Sequence, residues 1–300
     1  MERSTSFNGL LRLTRYQDFL SFVVVTTLLG AVISGVRFNS GNLPRLLLVL
    51  VANCLAVGFA FMINDVEDAL DDALSPVKAI RNPVSAGLIS PSAAYLASFG
   101  VALLAGLAYY FLGLLPFGLG LGCLALGGLY SWRKVRLKSI PVLDLVSHCL
   151  MLAGLQLWCA YFAFAPQSLH LTGPWLGPFL LVVSISIYGE LFNELRDLEC
   201  DRKAGITHTA ALVGERVAHL LMYALLLLAG LALAHSLATG LIPSWVVVLT
   251  LGLGAILLIG PVLNLKNKKG LAITGSFQQP VLLLGILVLL VWMLGVSLGI

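Results

Sequence analysis

Apolar residues run along this chain in long blocks separated by short polar stretches, with no two-residue alternation. A hydrocarbon core about 30 Å thick calls for a helix of roughly 20 apolar residues. Segments 19–37, 45–63, 92–112, 114–130, 141–164, 174–192, 215–235, 243–262 and 276–298 meet that requirement. They predict an all-α, multi-pass transmembrane helical bundle of about nine helices. Lipid-exposed strands survive only in a closed barrel, and the period-two pattern of one is missing.

Composition agrees. The sequence is 59% hydrophobic and 11% charged, whereas about a quarter of a soluble domain is charged. The surplus apolar surface has to face lipid. Helices in a bilayer share one bundle, so a single domain over 1–300 is expected, with two pseudo-repeats at roughly 15–140 and 141–300. Cys54, Cys123, Cys149, Cys159 and Cys200 are scattered without a CxxC pair, which excludes a disulfide or zinc framework. Residues 1–18 are polar, carry Arg3, Arg12 and Arg15, and lack a short apolar core with a small-residue cleavage site. No cleaved signal peptide is expected.

Charge sorts the loops. With nine spans, all basic residues except Arg37 and Arg45 fall on one side, which the positive-inside rule makes cytoplasmic. All 14 acids fall on or near the same side. The opposite loops are short and rich in Gly and Pro. One membrane face is chemically equipped, and the other is bare.

Two acidic segments stand at matching places. The second predicted span ends in Asn64-Asp65-Val66-Glu67-Asp68-Ala69-Leu70-Asp71-Asp72, and the sixth in Asn193-Glu194-Leu195-Arg196-Asp197-Leu198-Glu199-Cys200-Asp201. Aligned, they read N-D-x-x-D-x-x-x-D and N-E-x-x-D-x-x-x-D, a weak internal repeat. On a helix, residues four apart share a face, so Asn64, Asp68 and Asp72 form one stripe and Asn193, Asp197 and Asp201 another. Asp65 and Glu194 flank them, about 100° round. Stacked acids repel, and carboxylates at membrane depth are costly. A cation must offset this. Magnesium fits best, because it takes oxygen ligands from one or two carboxylates and completes its shell with water and substrate phosphate. Zinc would want His or Cys, and the five histidines are expected to cluster with neither stripe. Solvated helix ends would explain one such cluster, but two matched ones point to a diphosphate site.

Cations follow each stripe: Lys78 and Arg81 after the first, Arg202 and Lys203 after the second, and Arg133, Lys134, Arg136 and Lys138 after the fourth span. They suit phosphate oxygens on which charge develops. Asp144 is placed to cap a helix or pair with Lys138, and Glu190 to extend the second stripe.

With these residues laid out, the chain resembles the UbiA superfamily of intramembrane prenyltransferases. The resemblance rests on N-D-x-x-D-x-x-x-D at 64–72, P-x-x-x-G from Pro83 to Gly87, and the second motif running into D-R-K-A-G at 201–205. It implies a central cavity opening to lipid and two Mg2+ ions. Asn64, Asp65, Asp68 and Asp72 would hold one ion, and Glu194, Asp197 and Asp201 the other. It implies a polyprenyl diphosphate donor and a lipophilic acceptor, aromatic or isoprenoid, in the bilayer, with no nucleic acid. Asp65, Asp68, Asp72, Asp197 and Asp201 would be the catalytic acids. Lys134, Arg136 or Lys138 would contact the diphosphate, with Tyr130, Arg15, Arg81, Asn193 and Lys203 as further substrate-binding candidates. This chain departs from the family pattern in having Asn82 before the loop proline, with Arg81 one step earlier, and Glu194 where Asp is commoner. Glu67 and Asp71 enlarge the first cluster without a role. Competing readings are phosphoribosyl transfer to a polyprenyl phosphate and divalent-cation transport.

Overall fold

A computed structural model describes residues 7–165, 173–203, 205–268 and 271–300; the side chains of Cys200, Lys203, Lys266 and Asn267 lie outside the description. Its helices are α1 Phe7–Thr14, α2 Tyr16–Val32, α3 Leu43–Asp72, α4 Pro76–Arg81, α5 Pro91–Tyr110, α6 Leu114–Ser131, α7 Leu143–Cys149, α8 Leu155–Phe162, α9 Leu176–Lys203, α10 Thr209–Val213, α11 Glu215–Ala238, α12 Ser244–Leu257, α13 Ile259–Leu263 and α14 Leu271–Leu298. No strand occurs among the described residues.

Seven helical segments are long and apolar enough to cross a membrane, with α7 and α8 counting as one, and α2 and α12 are shorter apolar helices. Each of the nine expected spans therefore has a helix. The two short ones stop early for local reasons. Past α2 the chain turns at Gly35, in the left-handed region at φ 75°. Beyond α12 stands Pro261, which has no N–H to donate back to Leu257.

The acid-bearing helices instead run longer than expected. The predicted spans 45–63 and 174–192 extend through both acidic motifs, because no glycine or proline interrupts 64–72 or 193–203. After α9, Gly205 takes φ 70° and the Ile206 N–H donates to Asp201 O at 2.9 Å, a glycine C-cap. The glycine of the first loop behaves alike: Gly87 takes φ 73°, and the Leu88 N–H returns to Pro83 O at 2.9 Å. Both motif glycines are thus turn residues.

Helix α3 packs on α5 and α6, α9 on α11, and α2 on α8 and α14. One large core runs through the bundle and includes Ala56, Tyr109, Leu157, Phe162 and Trp292. Two smaller cores anchor the loops beyond the motifs. Leu13, Met62, Val66, Val84, Ile89 and Ala94 hold the first, and Leu191, Leu195, Ala210, Ala218 and Met222 the second. Leu96, Leu103, Leu114, Leu227 and Val248 point outward, as lipid-facing side chains do. Arg45, expected on the bare side, donates to the carbonyls of Leu112 and Ala163 at two helix ends.

Candidate diphosphate site

The continuation of α3 and α9 past the apolar blocks brings both acidic motifs to one cavity of about 670 Å³. Asn64, Asp65, Asp68, Asp72, Asn193, Glu194, Asp197 and Asp201 all line it, as do Arg15, Lys78, Arg81, Tyr130, Arg136 and Lys138. Lys78 joins the two halves directly: its Nζ lies 3.0 Å from Asp201 Oδ1, across 123 residues of chain.

Each carboxylate of the first motif has its own partner. Arg15 Nη1 donates to Asp65 at 3.1 Å. Lys138 donates to Asn64 at 2.9 Å and also to Asp68. Arg136 reaches Asp68 at 3.2 Å and Asp71 at 2.7 Å. Arg15 and Arg136 both take φ 49°, an uncommon conformation for a residue with a side chain. At Arg15 that turn separates α1 from α2.

Asn82 replaces the expected arginine with a different job. It is buried; its Nδ2 donates to Asp72 Oδ2 at 2.8 Å and to Asp65 O at 2.7 Å, while its Oδ1 accepts the Val84 N–H. The amide orients Asp72 and fixes the loop. Arg81 turns instead to Asp18 at 2.6 Å, an acid that Arg15 also contacts. Glu67 and Asp71 are structural anchors: Glu67 accepts from Tyr95 Oη at 2.8 Å and from the Arg133 N–H at 3.1 Å, and Asp71 pairs with Arg133 and Arg136.

The second motif is held differently. Glu194 Oε2 accepts the Ala210 N–H at 2.8 Å and faces His208 Nδ1 at 3.2 Å. His208 Nε2 lies 3.6 Å from Asp201. Asp197 pairs with its neighbour Arg196. The histidines therefore correct the expectation from sequence: His208 joins the second stripe, and His148 lies 3.1 Å from Glu190. Of the two roles expected for Asp144, capping a helix holds and pairing with Lys138 does not. Buried completely, it accepts from the N–H and hydroxyl of Thr209.

Three other substrate-binding candidates stand apart from these contacts. Lys134 is exposed beside Trp132, its Nζ 5.7 Å from the ring centre, and does not line the cavity. Tyr130 gives its hydroxyl to Glu190. The side chain of Lys203 lies outside the described residues.

Charge crosses the cavity. Burial alone would lower the affinity of Lys78 for its proton, yet the hydrogen bond to Asp201 and the charges of Asp201, Asp197 and Asp72 raise its pKa. His208 is raised too, with burial outweighed by Glu194, Asp201 and Asp144. Among the described residues, no three His, Cys, Asp or Glu side chains gather closely enough to enclose a metal. The donor set still suits magnesium. It is rich in carboxylate oxygen, and Asp65 Oδ2 and Glu194 Oε1 are buried without a hydrogen-bond partner. Magnesium completes its octahedron with water and phosphate and does not need a protein cage.

A multi-pass helical membrane bundle with two acid-tipped helices over one cavity defines the class of protein. The chain belongs to the UbiA prenyltransferase family, whose family model matches residues 23–277. It is similar to the lycopene elongase/hydratases of Haloarcula japonica and Haloferax volcanii. The first is 33% identical over 159 residues, 52% of this chain and 50% of that protein. The second is 34% identical over 106 residues, 35% of this chain and 33% of that protein. The matches span half or less of those relatives. In fold it resembles a UbiA homologue from Archaeoglobus fulgidus bound to GPP and Mg2+, with TM-score 0.70, 20% identity and coverage of 96% of this chain and 99% of that one. It also resembles the apo UbiA homologue of Aeropyrum pernix K1, with TM-score 0.70, 18% identity and coverage of 93% and 97%.

Proposed function

We propose that this protein transfers a prenyl group from a polyprenyl diphosphate to a lipophilic acceptor inside the membrane, with Mg2+ as cofactor. The observation that carries this reading is the convergence of both acidic motifs, with cations from three loops, on one cavity. The A. fulgidus neighbours bound to GPP or DMAPP with Mg2+ support the donor class. The names of the curated relatives support an isoprenoid acceptor over an aromatic one. By charge sorting, the acidic mouth faces the cytoplasm.

Asn64, Asp65, Asp68 and Asp72 would hold one magnesium and Glu194, Asp197 and Asp201 the other. When bound, magnesium neutralises diphosphate oxygens and acts as a Lewis acid on the leaving group. Arg15, Lys78, Arg136 and Lys138, all lining the cavity, donate to the same oxygens as the allylic C–O bond breaks. The apolar inner wall of Ala60, Phe61, Met151 and Leu152 keeps water from the allylic cation. The acceptor's π electrons then capture the cation.

An ion pathway lacks footing. In the opposite half of the bundle a buried polar chain is closed on itself: Asn53 Nδ2 donates to Thr27 Oγ1 at 2.8 Å, and Tyr109 Oη donates to Asn53 Oδ1 at 2.7 Å. The deciding experiment measures magnesium-dependent diphosphate release from geranylgeranyl diphosphate in proteoliposomes with a panel of isoprenoid and aromatic acceptors. Release that persists unchanged in Asp68→Ala and Asp197→Ala would sink the assignment. Metal flux without diphosphate release would favour a transporter.

A further inference from the structure

The cavity is layered along the axes of α3 and α9. Asp68, Asp72, Asp197 and Asp201 occupy its outer rim. One helical turn inward, about 6 Å, lie Asn64 on α3 and Asn193 on α9. Ser131 at the end of α6 donates to Asn64 Oδ1 at 3.1 Å, which sets its neighbour Tyr130 at the Asn64 level. Glu190 is a further turn inward from Glu194, and His148 faces it from α7. Below them come Met151, Leu152, Ala60 and Phe61, all apolar and all on the cavity wall.

Glu190 is therefore a carboxylate at the boundary between the phosphate-binding rim and the apolar floor. It is buried, and both of its oxygens are held. Tyr130 Oη donates to Oε1, and His148 Nε2 lies 3.1 Å from Oε2. Ser186 Oγ, 3.3 Å from His148 Nδ1, fixes the far side of the imidazole. Directly after α7 the chain makes a π-helical turn at Leu150–Gly154, a distortion often found at functional sites. Keeping an acid this deep is costly unless it is used or neutralised. An ionised carboxylate has about four lone-pair sites, so two hydrogen bonds leave room for another proton on the side facing the cavity.

Resting on the prenyl-transfer reading above, we propose that Glu190 is the base that ends the reaction, with Tyr130 and His148 as its positioning residues. The donor's C–O bond breaks and its electron pair leaves on diphosphate. A π pair of the acceptor forms the new C–C bond and leaves a cation on the acceptor. Glu190 takes a proton from the carbon beside that cation, and the C–H electron pair restores the double bond. The departing diphosphate carries the proton away, which closes the balance. The site suits this step: the donor's reacting carbon must lie just inside the phosphate rim, and Glu190 occupies that level.

The test compares wild type with Glu190→Gln in proteoliposomes, using geranylgeranyl diphosphate and an accepted isoprenoid. Coupled product and released diphosphate are measured in the same reaction. The ratio of unsaturated coupled product to diphosphate is expected to fall about tenfold or more, with the difference recovered as hydrated coupled product formed when water traps the acceptor cation. A ratio equal to wild type, whatever the absolute rate, overturns the proposal. Should Glu190→Gln not yield folded protein, His148→Gln decides: a fall in the same ratio supports the positioning role, and an unchanged ratio overturns it. Partial recovery in Glu190→Asp further supports a carboxylate requirement, and recovery by Gln alone speaks against it. Wild type that releases no diphosphate overturns instead the reading on which this one rests.

Discussion

The two acidic helix ends read almost alike in sequence, but they are held in opposite ways. The α3 end is clamped by side chains fixed elsewhere: Arg15 from the α1–α2 junction, Asn82 from the next loop, and Arg136 and Lys138 from the segment after α6. The α9 end relies more on its own surroundings, with Glu194 capping the start of α10 and Asp197 paired to adjacent Arg196, and takes its distant tie from Lys78 to Asp201. Asp197 is about a third exposed, against 14% for Asp68. A clamped motif is pre-organised and a loose one adapts, so the first is expected to set geometry and the second to close around the bound donor.

The largest test of that contrast is Asp68→Ala against Asp197→Ala. Both are expected to lower diphosphate release by about two orders of magnitude or more, the scale of losing electrostatic stabilisation of a leaving group. Raising magnesium should restore part of the rate only in Asp197→Ala, because Asp68 also anchors Lys138 and Arg136. Equal rescue of the two would remove the distinction.

Next in size is stability. Asn82→Ala unties Asp72 and the α3–α5 loop, so unfolding in detergent should shift by about 1–3 kcal/mol, the cost of stranding buried polar groups. No shift in the melting curve would show that the clamp is not structural. Lys78→Ala should change stability by less than about 1 kcal/mol, its pair with Asp201 being partly exposed, while raising the donor KM severalfold.

The smallest effect is pH-dependent. The pKa of His208 is raised above its usual 6.5. Its stabilising contribution is therefore complete below that ordinary value and fades as pH climbs through the raised one. Proteolysis of the α9–α10 connection should speed up on the alkaline side, and His208→Gln should flatten the dependence. A flat wild-type profile would contradict it.

Much of this architecture was legible in the sequence, because lipid imposes a coarse rule: each apolar block of sufficient length becomes a helix. The acids were legible too, since a four-residue spacing has one meaning on a helix. The partners were not. Arg15 and Arg136 reach the acids from left-handed backbone positions that follow from tertiary packing. His148 and His208 meet Glu190 and Glu194 only through long-range folding, so no local spacing announces them. Asn82 stands in the sequence only as a departure from the family pattern, because its burial beside Asp72 depends on the loop folding back.

One tie has a further consequence. The ammonium of Lys78 spans the mouth of the cavity to Asp201, partly wetted and hence cheap to detach. An arriving pyrophosphate group offers that ammonium an oxygen as good as the one it leaves, so the latch can be exchanged without an unfavourable intermediate. Transfer of that ammonium from Asp201 to the arriving group would bring the short helix after α3 with it.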